Sequence, residues 1–391
     1  MRTVQGGDDV RATRLGRATK TLLVMAIVVA LTLTGFLSTR SASATGNDFS
    51  PRMLVRVGSS DVIYVLGYVP CAKSQCLRLF RTEDNGARFV EGRPPPTKSI
   101  KYSLVGSLDE LVFANAEVGY ALEGGDGVDN AVSLYATFNG ARSWTKVSTP
   151  AGQLSRVAAS TNAVYVVVMH CAKQSDGNVD CTNYRLIHSS LSAKHWTVSP
   201  LPHGNFPSGF LGNVTAFGSK VWLSEGAKWS LLVSSRNHGT SFSTYTPTFP
   251  ALASVAGCDL TATSTTGLWS ACPTGMEESF AYSSDAGMKW NEVPTHQFMG
   301  TGGGYFDPVS SSVAYLDYGG GSNALFRIGN AGHVMTAAGT VKCSKGNARI
   351  GVITFTSSRD GLAICESQGL FTSAQLEGTS NGGATWIHIN P

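Results

Sequence analysis

From about residue 45 onward, apolar and polar positions alternate in short runs with no helical rhythm. Val62 to Leu66, Tyr165 to Met169, Lys220 to Ser224 and Gly351 to Thr356 are short segments rich in β-branched or aromatic side chains. Residues that favour turns cluster between such segments, so the pattern predicts β-strands joined by tight connections. No stretch of this region carries an apolar helical period over the length of a helix. The chain is therefore expected to be all-β.

Seven of the strand-like segments run into a box of the form Ser/Thr-x-Asp/Asn-x-Gly-x-x-Trp/Phe, at intervals of 45 to 55 residues. The clearest copy runs from Ser283 through Asp285 and Gly287 to Trp290. Close variants begin at Thr82 (with Asp84, Gly86, Phe89), Thr137 (Asn139, Trp144), Ser235 (Asn237, Gly239, Phe242) and Thr379 (Asn381, Gly383, Trp386). Weaker copies begin at Ser189 and Ile328, where Leu191 takes the third place of one and Met335 the eighth place of the other. Each position has a task in a tight strand-to-strand turn. The acid or amide accepts hydrogen bonds from backbone N–H groups of its own turn, the glycine supplies a positive φ, and the aromatic opens the next strand with a large ring to bury. In the second copy Ala141 stands at the glycine place with Gly140 before it, which predicts a turn shifted by one residue.

These boxes resemble the BNR or Asp-box repeat of sialidases, sortilin-type receptors and photosystem II assembly-factor-like propellers. A second cadence supports the resemblance. Gly119-Tyr120-Ala121, Gly267-Leu268-Trp269 and Gly361-Leu362-Ala363 precede their boxes by 16 to 18 residues, and Phe113 and Phe355 stand six residues before the first and last of those glycines. This cadence looks most like the assembly-factor-like group. The resemblance implies a β-propeller in which the boxes lie on the outer rim of each blade, away from the central ligand face. A period of 45 to 55 residues suits one four-stranded blade per repeat. Residues 45–391 are accordingly expected to form one seven-bladed domain, or a six-bladed one if the unit around Ile328 is an insertion.

Composition agrees with that architecture. Charged residues make up 14% and apolar residues 42%, with 44 glycines, against about 25% charged in an average domain. Residues 1–44 read separately, as an export signal. Five basic residues from Arg2 to Lys20 precede an uncharged apolar run, Leu22 to Leu37, and Ser41-Ala42-Ser43-Ala44 follows as a processing pattern. The alternative is an uncleaved anchor, and membrane contact is expected only through that segment. The eight cysteines fall as neighbouring pairs, Cys71 with Cys76, Cys171 with Cys181, Cys258 with Cys272, and Cys343 with Cys365. Eight cysteines allow about a hundred connectivities, but the repeat frame favours these four as disulfides within blades. Disulfides suit a secreted protein or the extracytoplasmic cell envelope. A zinc site is the minority reading, because no second pair matches the first in spacing.

Residues 1–44 hold six basic and two acidic side chains, leaving 24 of each sign in the remainder. Without a basic run there, nucleic acid is an unsuitable partner. Catalytic signatures are absent: no His-Glu-x-x-His, no Gly-x-Ser-x-Gly elbow and no phosphate-binding loop. Asp126 and Asp129 offer a weak calcium loop, and no cofactor is implied. Glycoside hydrolysis would need paired carboxylates across a cleft. The candidates are Asp109, Glu110, Glu123, Asp126, Glu277, Glu278, Asp307 and Asp317, with Tyr305 and Tyr318 nearby, and nothing in the sequence selects a pair. The expectation is a non-catalytic module that binds a protein or glycan over the central channel, with a carbohydrate-active hydrolase as the alternative.

Overall fold

A computed structural model describes residues 49–71, 74–96, 108–123, 133–173, 179–201, 211–225, 232–245, 258–273, 278–294, 305–317, 323–343, 348–367 and 374–391. The proposed signal or anchor, residues 1–44, lies outside them. Strands in the described residues form seven antiparallel sheets of four, each built from consecutive segments. A 3-10 turn at Asn330–Gly332 is the helical element among them. The first strands of the sheets are Ser50–Arg56, Leu108–Phe113, Gln153–Ala159, Leu211–Phe217, Asp259–Ala262, Phe306–Pro308 and Ala348–Phe355. They line a common central channel, and the short fourth strands, such as Val90–Gly92 and Ile387–Ile389, lie outermost. The chain is a seven-bladed β-propeller.

The six-bladed alternative fails because the unit around Ile328 is a complete blade, Phe306–Pro308, Ala314–Asp317, Ala324–Gly329 and Val334–Thr340. Its degenerate box is replaced by the 3-10 turn, where Asn330, Ala331 and Gly332 all take positive φ (49°, 52° and 91°). The termini do not share a blade. Blade one is built entirely from the start of the described chain and blade seven entirely from its end.

The five clear boxes fold alike. The first-position hydroxyl accepts the fifth-position N–H, at 2.8 Å from Gly86 to Thr82, 2.7 Å from Gly287 to Ser283 and 3.0 Å from Gly383 to Thr379. That hydroxyl donates to the third-position acid or amide, whose Oδ1 accepts the seventh-position N–H: 2.8 Å for Asp84 and Asp285, 2.9 Å for Asn381, 3.0 Å for Asn139 and Asn237. A hydroxyl and a short side-chain oxygen thus satisfy the backbone of a turn too tight to satisfy itself. The expected one-residue shift in blade two does not occur. Ala141 keeps the glycine's place, donating its N–H to Thr137 Oγ1 at 3.0 Å with φ 63°. The hydroxyl bond fixes the register, and the alanine bears a backbone cost of about 1–2 kcal/mol.

Seven separate apolar clusters fill the interfaces, one between each neighbouring pair of blades, the last and first included. At the centre of most stands the second residue of a Gly-aromatic or equivalent pair in the second strand, buried yet polar at its tip. Tyr64 Oη donates to Ala116 O (2.8 Å), Tyr120 to Leu191 O (2.5 Å), Trp222 Nε1 to Ala286 O (3.0 Å), Trp269 Nε1 to Ser310 O (2.9 Å) and Tyr315 Oη to Ser358 O (2.7 Å). In every case the acceptor is a turn carbonyl of the following blade. Tyr165, the equivalent in blade three, makes no such bond.

The Phe-to-Gly cadence has a steric cause. A Cβ on Gly119 or Gly361 would lie 2.5 Å from the ring of Phe113 or Phe355. The phenyl ring occupies the side-chain space of the glycine and stacks on the aromatic of the preceding blade. Phe113 lies 3.7 Å from Tyr64, and Phe355 lies 3.6 Å from Tyr315, centroid to centroid and nearly coplanar. The box tryptophans Trp144 and Trp386 meet the same two rings edge-on.

Leu362 fills the relay position in blade seven and has no donor. Ring closure therefore uses other groups. Asn85 Nδ2 donates to Thr379 O (2.5 Å), Ala374 N to Ser50 Oγ (3.1 Å), and Arg52 faces Glu366 at 3.6 Å.

Replacing Ser283 by Ala removes the acceptor for two backbone N–H groups in a fully buried position. The expected loss is about 1–2 kcal/mol in urea unfolding with an unchanged m-value. The exposed neighbour variant Ser284→Ala should stay within about 0.5 kcal/mol of the parent.

Candidate functional site: the central channel and its mouth

The first strands enclose a cavity of about 520 Å³ whose walls are polar and apolar in about equal measure, with Arg56, Glu110, Asn213 and Asp307 among the polar lining. Arg56 closes blade one in an otherwise apolar strand end. Its guanidinium donates to Phe355 O and Pro308 O at 2.5 Å each and lies 3.8 Å from Asp307. Asp307 in turn accepts the Phe355 N–H at 2.6 Å. One arginine and one aspartate thus tie blades one, six and seven together. Burial pushes the Asp307 carboxyl above its usual range, against the opposing pull of Arg56 and the Phe355 N–H. Elsewhere on the wall, Glu110 of blade two accepts Val157 N of blade three at 2.5 Å and faces Arg156 at 3.4 Å. Asn213 Nδ2 donates to Asp259 Oδ1 at 3.1 Å, and Ala262 N donates to Thr215 Oγ1 at 3.1 Å, joining blades four and five. The channel's ionisable groups are engaged in holding one blade to the next.

The two faces of the ring differ. One carries the turns within hairpins of first and second strands and the boxes between third and fourth strands. The other is where the remaining connections begin and end, many of them through residues outside the described set. The disulfides Cys71–Cys76, Cys258–Cys272 and Cys343–Cys365 all lie at strand ends on that second face. Cys171 is also disulfide-bonded, and the strand register sets it opposite Cys181, whose side chain lies outside the described residues.

The proposed acids scatter. Glu123 is buried in blade two and accepts Tyr135 Oη at 3.3 Å. Asp317 is buried in blade six, where its N–H donates to Tyr305 O at 2.9 Å, while the Tyr305 ring is 40% exposed. Glu278 has its carboxyl pushed up by burial and then by the charge of Asp259. Both stand at strand starts on the second face of blade five, and of the two the sequence pointed only to Glu278. Asp126, Asp129, Glu277 and Tyr318 lie outside the described residues, as does the side chain of Asp109. No group of three metal-ligating side chains occurs among the described residues, and no described helix is long and apolar enough to cross a membrane. The arginines of the seam, Arg52 and Arg56, were not anticipated. Their one signal is that each interrupts an apolar first strand.

Comparison with solved structures places the chain among propellers. It matches the structure of YCF48 bound to D1 peptide with a TM-score of 0.50 and 14% identity, over 88% of this chain and 94% of that one. It matches a Pyrococcus horikoshii acylaminoacyl peptidase with a TM-score of 0.56 and 7% identity, over 88% of this chain and 52% of that one. It also matches an ancestral GH74 enzyme with a TM-score of 0.51 and 12% identity, over 88% of this chain and 46% of that one. The chain spans about half the length of the latter two proteins. At these identities the likeness is one of fold. No protein-family model and no curated protein matches the sequence.

Because the folded-state carboxyl of Asp307 is held above its unfolded value of about 3.9, the folded state binds the extra proton. Its unfavourable contribution is present at neutral pH and is relieved as pH falls through the folded value. The stability of the parent relative to Asp307→Asn should therefore rise between neutral pH and about pH 4 in urea unfolding. A flat or falling difference would contradict the assignment.

Proposed function

We propose that this chain is an exported, non-catalytic propeller of the Asp-box type, disulfide-stapled, that binds a segment of a partner protein over the mouth of its central channel. The observation that carries this reading is the engagement of Arg56, Asp307 and Glu110 in bonds between blades. A wall whose charges already serve the scaffold offers shape and exposed side chains at the mouth, such as Tyr305, and lacks poised acid–base chemistry. YCF48, which shares the fold over nearly its whole length, is bound to a peptide in its own structure. The disulfides fit an oxidising compartment, and in this reading residues 1–44 are a signal cleaved after Ala44.

One observation favours the second reading, a carbohydrate-active hydrolase. Burial, and then the charge of Asp259, push the Glu278 carboxyl above its usual range, and a raised acid accompanied by a second carboxylate is how an acid and a base are set apart in glycosidases.

The binding reading predicts no turnover of a panel of fluorogenic glycosides. It also predicts capture from cell-envelope extract of a defined protein whose retention drops roughly tenfold in Tyr305→Ala, as for an exposed aromatic anchor. Turnover that Glu278→Gln abolishes would replace it with the hydrolase reading.

A further inference from the structure

The turn face is electrically uneven in a way that the near-neutral chain conceals. Around blades one, two and seven its cations have carboxylate neighbours. Arg81 pairs with Glu83 and lies 3.7 Å from Glu117, and Asp61, Asp84 and Asp360 lie in the same set of turns. Blades three and four differ. Their box turns carry Lys194, His195, Arg236 and His238, and the hairpin turn between the first two strands of blade four adds Lys220. No carboxylate belongs to any described turn of those two blades. The described acids of that stretch, Asp180 and Glu225, fall at strand ends on the opposite face.

The cations are crowded as well as unbalanced. Lys220 sits 5.9 Å over the ring of Trp222 and is partly buried. Burial, and then the charge of Arg236, push its ammonium below the usual lysine range. Two like charges held in mutual range without an ion pair among the described residues raise the energy of the free surface. An anionic partner relieves that cost on binding, whereas the paired cations of blades one and two would have to exchange one carboxylate for another.

We propose that the turn face of blades three and four is a docking surface for an acidic polypeptide segment, on the face opposite Tyr305, Asp259 and Glu278. The tips beside the cations are Thr161, Asn162, Ser192, Ser219 and Ser241, small polar groups suited to peptide carbonyls and carboxylates. Adsorption to anionic lipid would call for an apolar wedge among the cations as well. The described turns of these blades expose no large apolar side chain, and Val198 stands on the outer strand instead.

The test uses the full chain and a fluorescein-labelled oligoglutamate peptide, followed by anisotropy at about 50 mM and about 300 mM salt. Binding should weaken with salt and should fall roughly tenfold or more in the triple variant Lys194→Gln, Lys220→Gln, Arg236→Gln. The control pair Arg88→Gln, Lys289→Gln on the same face should stay within about twofold. Circular dichroism of each variant shows that the fold persists. No binding by the parent chain, or equal loss in triple and control variants, overturns the proposal. So does patch-dependent sedimentation with vesicles of about 30% phosphatidylglycerol in phosphatidylcholine when the peptide does not bind.

Discussion

A propeller blade is a sheet whose two faces both need covering. Cys71–Cys76 and Cys258–Cys272 each lie within one blade, and Cys343–Cys365 ties the segment leaving blade six to the second strand of blade seven. What joins the blades is a buried ring in the second strand with a donor at its tip, aimed at a turn carbonyl across the gap. The ring body supplies hydrophobic burial, and the donor fixes where the next blade sits. A buried carbonyl left without its donor would cost about 1–3 kcal/mol, so the bond specifies geometry more than it adds raw stability. The Phe-over-Gly arrangement follows from it, because the stacked phenylalanine is the surface on which Tyr64 or Tyr315 rests.

The closing seam shows what happens where the relay is missing. Leu362 supplies burial without a donor, and the polar work passes to Arg52, Arg56, Asn85 and Ser50. Two of these are arginines in the first strand, and one reaches into the channel. The charge that would draw attention to the channel as a reactive site is thereby part of its closure. Glu110 repeats the logic between blades two and three. Interest in function consequently moves from the channel wall to its mouth and to the turn face.

Architecture was legible in the sequence because each box position answers a local backbone need, so Ser283, Asp285, Gly287 and Trp290 recur in kind while their surroundings drift. The same local rule misjudged Ala141, where a hydroxyl bond outweighs the steric preference for glycine. It also left the Ile328 unit in doubt, since a 3-10 turn can replace the box without altering the strands around it. The seam arginines were hidden for a different reason. They meet their partners across long stretches of sequence, through blade packing that no local pattern encodes.

The relay is tested most directly by urea unfolding of three tyrosine-to-phenylalanine variants that keep the buried ring and remove only the donor. Tyr64→Phe and Tyr315→Phe should each lose about 1–2 kcal/mol, while Tyr165→Phe, whose hydroxyl reaches no carbonyl of blade four, should lose less than about 0.5 kcal/mol. Equal losses at all three positions, or none at Tyr64 and Tyr315, would contradict the account.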